Sequence, residues 1–176
     1  MSKIVIILAL VSFGNKLISQ PQAILRKGDL AQNFIEVDSD GNEVNLESYR
    51  GKIVLINFTA TFCSPCWKTY NQMDGLQKKY SNDLKIISIH MDEDKERWKK
   101  IAKKNDIEFG VSSIWESSQK EQIFQLYDAT GFPYFVLIDH NGIVSKKWFG
   151  NYENRLKRNL KKLIRRMGTD TRTSSD

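Results

Sequence analysis

The sequence predicts an α/β domain built on one central mixed sheet with helices on both faces. Short apolar, β-branched runs alternate with stretches whose apolar residues recur at helical spacing. A strand–turn–strand pattern closes the series. At 176 residues the chain is long enough for one domain with a substantial core and too short to suggest two. Its apolar and charged fractions, 40% and 27%, are those of an ordinary globular protein.

The elements follow in order. Phe34 to Val37 is extended, and Asp38-Ser-Asp-Gly41-Asn reads as a hairpin turn of the Asp-Gly type. Glu43 to Leu46 returns as a strand, and Leu46 to Tyr49 allows a helical turn. Ile53 to Phe58 is short, apolar and β-branched, the mark of a strand buried on both faces. Pro65 suits the first turn of a helix, and Tyr70, Met73, Leu76 and Tyr80 continue it at helical spacing. Leu84 to Ile89 is the next strand. Asp94 to Lys104 and Gln119 to Asp128 are helices, and Asp92-Glu-Asp94 opens the first of them. Phe135 to Ile138, the turn at Asp139-His-Asn-Gly142, and Ile143 to Phe149 form the late hairpin.

The two ends differ from this pattern. Ile4 to Phe13 is nearly all apolar, follows one positive charge, and leads into polar residues through Gln20. That is the layout of a signal peptide over residues 1–19, cleaved near Ser19. The run is too short to be a comfortable membrane span. Leu17 suits cleavage poorly, so an uncleaved anchor is the alternative, while the lack of a cysteine after the run excludes a lipoprotein anchor. Cleavage would lower the net charge from +6 to +4 by removing Lys3 and Lys16. Much of the remaining excess lies in Arg155 to Arg166, where Leu156, Leu160, Leu163 and Ile164 give an amphipathic helix with a basic outer face. That face reads as solvated charge, with a peripheral membrane contact as the sharper alternative. Nucleic acid is not an expected partner of an exported chain. Residues 168–176 are polar and expected to be disordered.

The chain has two cysteines, and they stand together as Cys63-Ser64-Pro65-Cys66. A bridge across so short a loop constrains the unfolded chain by about 1.9 kcal/mol, against about 4.7 for a hundred-residue loop. It is a weak staple, and a pair spaced this way at a strand–helix junction is suited to opening and closing. Cys63 sits where a helix N-terminus supplies partial positive charge and free N–H groups, which favours a thiolate. It is the expected nucleophile, and Cys66, one turn in, the residue that resolves a mixed disulfide. A zinc site of Cys63, Cys66, His90 and His140 is disfavoured, because neither histidine stands in a ligand spacing. A peroxidatic cysteine is disfavoured as well, because Ala60 and Thr59 do not supply a threonine at the needed spacing. No cofactor beyond the disulfide and no metal is expected.

Five further pieces accompany the cysteines in order. They are Lys27-Gly-Asp-Leu-Ala with Asn33-Phe34, the Asp40-Gly41 turn, Gly51-Lys52 before the apolar strand ending Asn57-Phe58, Ala60-Thr61-Phe62, and Gly131-Phe132-Pro133 leading to Leu137-Ile138-Asp139. On these residues the chain resembles the TlpA/ResA-type thioredoxin-fold proteins, exported thiol–disulfide oxidoreductases of bacteria. The resemblance implies a thioredoxin fold over residues 27–167 with an N-terminal β-hairpin extension. It implies a cis Pro133 facing the dithiol, where the neighbouring backbone pairs with an extended substrate. Phe132, Phe62 and Trp67 are then candidates for substrate contact, Trp67 equally for plain packing, and Ser64 and Pro65 for tuning the potential. The reaction implied is reduction of exported proteins that carry cysteines, recharged by a membrane electron-donor protein. The place implied is the periplasm or the outer face of the inner membrane. An oxidase or isomerase, and a non-catalytic binding module, remain the alternatives. Two departures matter. The family's buried Glu three residues after the second cysteine is Thr69 here, and the Asp of classical thioredoxins is Asn57. The proton acceptor for Cys66 is left open among water, Glu47 and Glu116.

Overall fold

A computed structural model describes residues 23–104, 107 and 112–173. The proposed signal segment lies outside them. The described elements are β1 (Ile35–Val37), β2 (Glu43–Asn45), β3 (Ile53–Thr59), α1 (Ser64–Lys79), β4 (Leu84–His90), α2 (Lys95–Lys104), β5 (Ser112–Ile114), α3 (Lys120–Leu126), β6 (Tyr134–Ile138), β7 (Val144–Phe149) and α4 (Arg155–Thr173). Single 3-10 turns fill Leu46–Tyr49 and Tyr152–Asn154.

Five strands form the main sheet in the order β5-β4-β3-β6-β7, and β1 with β2 forms a separate hairpin. β3 runs parallel to β4, and β4 to β5. β6 is antiparallel to both β3 and β7. β3 is buried at every position, and its side chains divide by parity. Ile53 and Leu55 join one core with Tyr70, Met73 and Leu76 of α1, Trp98 and Ala102 of α2, and Leu156 and Leu160 of α4. Val54, Ile56 and Phe58 join a second core with Ile123 and Leu126 of α3 and Val44 of the hairpin. A strand covered on both sides needs apolar residues of both parities, which is why Ile53 to Phe58 reads as a continuous run. Leu156 and Leu160 are fully buried and fix α4 to the sheet. Truncating either to alanine costs about 2–5 kcal/mol.

The structure adds three details to the sequence reading. The β1–β2 connection is a five-residue loop over the expected residues 38–42, in which Gly41 alone has positive φ (84°). Asp38 N–H donates to the Asn42 carbonyl, while Asp38 Oδ1 accepts from the Asp40 and Asn42 amides. The β6–β7 connection repeats this arrangement, with Asp139, Asn141, Gly142 and Ile143 in the same roles. Ser112–Ile114, left unassigned above, pairs with β4 as an edge strand. Finally, α4 continues through Gly168 to Thr173, beyond the expected start of a disordered tail.

Candidate active site

The site forms where β3 ends and α1 begins. Cys63 is the N-cap residue of α1, in extended conformation, with Pro65 inside the first turn. Its Sγ occupies the capping position and accepts the Cys66 N–H at 3.2 Å. The orphan amides of a helix start need acceptors, and here a sulfur serves as one. Cys63 and Cys66 are bonded to each other, with a Cα–Cα separation of 5.3 Å. Cys63 is 7% exposed and Cys66 1%. An incoming sulfur therefore reaches Cys63 first.

The loop that delivers Cys63 is tied down from the side. Asp92, just after β4, accepts the Thr61 N–H through Oδ2 and the Thr61 hydroxyl at 3.0 Å through Oδ1. Asp94 caps α2, accepting the Arg97 amide at 3.2 Å. The acidic run thus does start a helix, but Asp92 also braces the loop before the dithiol. Sequence reasoning missed that role, and the only signal for it was an acid at the C-terminal end of the neighbouring parallel strand.

Phe132 packs on Ala60, Cys63 and Cys66. The Phe132–Pro133 peptide is cis. Pro133 is buried, and its carbonyl accepts the Gly150 N–H at 2.8 Å. A cleft of about 430 Å³ opens beside the dithiol, lined by Ser64, Pro65, Lys68 and Thr69 from one side and Phe132, Pro133, Phe149 and Tyr152 from the other. Gln72, Asn151 and Asn154 close its floor through amide hydrogen bonds of 3.0 and 3.1 Å. Phe62 is 69% exposed, with its ring centroid 6.1 Å from that of Phe132. Phe149 and Tyr152 are also exposed, so aromatic surface surrounds the disulfide.

Trp67 does not share in that surface. Its indole N–H donates to the Thr61 carbonyl at 3.1 Å, and its ring packs between Tyr70 and Trp98, with centroids 5.9 and 5.8 Å away. Of its two expected roles the structure supports packing, because the residue after Cys66 faces the α2 side of α1. Thr69 turns its hydroxyl back onto the Cys66 carbonyl at 2.7 Å. Asn57 is fully buried and donates to Ser88 Oγ at 3.3 Å. Glu47 and Glu116 are exposed, and neither lines the cleft. His90 is buried in an aromatic stack on Trp115 (3.6 Å between centroids), within 3.3 Å of the Tyr70 hydroxyl. Burial, and then the charge of Lys120, hold its pKa well below the ordinary value. Burial likewise pushes Tyr70 up to about 12. Among the described residues, no group of three or more His, Cys, Asp or Glu side chains is placed to hold a metal.

A bonded cysteine pair capping a helix, beside an aromatic-rimmed cleft, is the geometry of thiol–disulfide exchange. Residues 27–147 match the AhpC/TSA family. Over 138 residues the chain is 31% identical to the thiol-disulfide oxidoreductase ResA of Bacillus thuringiensis subsp. konkukian, an alignment spanning 77% of this chain and 78% of that one. The chain is a ResA-like thiol–disulfide oxidoreductase of the AhpC/TSA family. The ResA of Geobacillus thermodenitrificans is 32% identical over 120 residues, 68% of this oxidoreductase and 67% of the relative. Among solved structures, a thiol:disulfide interchange protein of the thioredoxin family from Chlorobium tepidum superposes with a TM-score of 0.62 at 26% identity, covering 71% of this chain and 88% of that one. A thiol:disulfide interchange protein from Bacteroides sp. shares the fold, with a TM-score of 0.66 at 23% identity over 80% of this chain and 91% of its own.

Proposed function

We propose that this oxidoreductase works as a reductase of disulfides in exported proteins, with Cys63 as nucleophile and Cys66 as resolving cysteine. The observation that carries the reading is the position of Cys63 Sγ, which is the more accessible sulfur and already accepts a helix N-terminal amide. In the reduced enzyme that amide stabilises the Cys63 thiolate. The thiolate attacks one sulfur of the client disulfide; the client S–S bond breaks and its other sulfur leaves as thiolate. Cys66, deprotonated, then attacks Cys63 Sγ. The mixed disulfide breaks, the second client sulfur leaves, and the Cys63–Cys66 bond closes. Two electrons pass to the client, whose two thiolates take up protons. A membrane electron-donor protein returns the pair to the dithiol.

The reducing direction is what the resemblance to the TlpA/ResA-type proteins implies. The cis Pro133 and the adjoining cleft provide the docking edge for an extended client segment. Phe132 and Phe62 provide its apolar contact, and Ser64 and Pro65, on the cleft rim, set the local amide geometry. Export to the periplasm or the outer face of the inner membrane rests on the N-terminal apolar run and the family. Insulin reduction driven by dithiothreitol tests the proposal. Turnover is expected from the wild-type chain and none from Cys63→Ser. Equal turnover in the variant would refute the assignment.

A further inference from the structure

Among the described helices, α4 carries the largest net positive charge. Seven Lys or Arg residues fall between Arg155 and Arg166, and no Asp or Glu occurs between Glu153 and Asp170. The apolar stripe of this helix is taken up by the sheet. Lys157, Arg158, Lys162, Arg165 and Arg166 are left exposed. Two neighbouring features extend the patch. β7 contributes Lys146 and the N-terminal segment contributes Lys27, which with Lys162 and Arg166 line one cleft. A wider cleft of about 710 Å³ adjoins it, lined by Lys146, Arg158, Lys161, Lys162, Arg165 and others. No residue lining either cleft is acidic. The crowding is felt at Lys146, whose pKa is lowered first by burial and then by Arg155, Lys162, Arg158 and Lys27.

What covers this face follows from two facts. No exposed residue of α4 from Arg155 to Arg166 is apolar, so the patch lacks the apolar centre that a protein interface needs. An anionic headgroup surface asks only for cations. The second fact is where the chain enters. Lys27 lies in the patch, and the neighbouring Gly28 N–H donates to the Val144 carbonyl at 2.9 Å, which pins the N-terminal segment along the β7 edge of the sheet, while Leu25 before it packs on the α3 side. Thirteen residues separate Phe13, the end of the apolar run, from Lys27. They span at most about 45 Å. Where the run is held in a bilayer, this tether keeps the domain within reach of the headgroups.

We infer that the α4 face, together with Lys27 and Lys146, docks on the anionic phospholipid headgroups of a membrane. The patch shares no residue with the cleft beside the dithiol, so the docked enzyme keeps its exchange site open.

Lysine acetylation of the full chain, read by mass spectrometry, tests this whether or not the apolar run inserts. On vesicles containing phosphatidylglycerol, Lys157 and Lys162 are expected to react about fivefold more slowly than on pure phosphatidylcholine vesicles. Lys68 and Lys100 should be unchanged. One molar salt, where the screening length falls to about 3 Å, should abolish the protection. The triple variant R158E/K162E/R166E should lose protection at Lys157 while keeping its turnover with dithiothreitol and insulin. The salt measurement on the wild-type chain stands if that variant fails to fold. Equal labelling on both vesicle types, slowing that extends to Lys100, protection that survives one molar salt, or protection by soluble polyglutamate but not by vesicles would each overturn the inference.

Discussion

Replacing Asp92 with alanine tests how the dithiol loop is held. The change removes two hydrogen bonds to a carboxylate, one from the Thr61 amide and one from its hydroxyl. Hydrogen bonds to a charged group contribute about 1.5–3 kcal/mol each. Thr61 is buried, so its amide is left without a ready substitute, while Asp92 is half-exposed and recovers part of its hydration when the fold opens. The expected loss is about 3 kcal/mol, the lower end of the simple sum. For a domain of this size that lowers the melting temperature by about 6–12 °C. Asp92→Asn keeps one acceptor and should lose about half as much. Thermal unfolding of the oxidised protein, followed by circular dichroism, gives the shift. Insulin turnover should fall with it, because the loop from Ala60 to Phe62 positions Cys63. A fall below about 2 °C with normal turnover would show that Asp92 does not brace the loop.

Other perturbations have equally definite outcomes. Phe132→Ala removes the ring against the cysteines and should raise KM for a protein disulfide about tenfold, with little effect on reduction by dithiothreitol; steady-state kinetics with both substrates check it. Phe62→Ala should leave stability within about 0.5 kcal/mol, since the ring is exposed, but weaken turnover of protein substrates. Gly150→Ala places a side chain at φ 72° and within 2.6 Å of the Tyr152 ring, and should lower stability in urea by about 1–2 kcal/mol. His90 predicts a pH dependence. Its folded pKa lies below its unfolded value near 6.5, so its contribution is present above that pH and is lost as the pH falls, when the unfolded chain takes up a proton. The slope below pH about 6.5 approaches 1.4 kcal/mol per unit, and urea midpoints of His90→Phe should show a flatter profile.

The parts of the fold that were legible in the sequence are those where one strong local signal coincides with burial. β3 is apolar at both parities because both its faces are covered. α1 announces itself through Pro65 and its apolar spacing. The cysteines were legible because chemistry restricts their spacing, and the cis Pro133 through the family pattern around it. What escaped depends on tertiary neighbours. β5 has three residues, two of them serine, and is a strand because β4 offers it an open edge. Asp92 has the same local surroundings as any acid at a helix start, and only the fold brings it to Thr61, thirty-one positions away. The side on which Trp67 lies was undetermined because a helix position fixes a direction, while the neighbour in that direction, Trp98, comes from another element. The position of the Asp38 loop was legible but its conformation was not, because that is set by Asp38 Oδ1 accepting the Asp40 and Asn42 amides.

The central claim is that Cys63 and Cys66 form a reducing dithiol. Equilibrating the protein in dithiothreitol buffers, with Trp67 fluorescence or thiol trapping as the readout, gives the reduction potential of the pair. A reducing dithiol predicts a value near that of thioredoxin, about −270 mV. A value near −120 mV, the oxidising end of the scale, would contradict the account and make the protein a donor of disulfides.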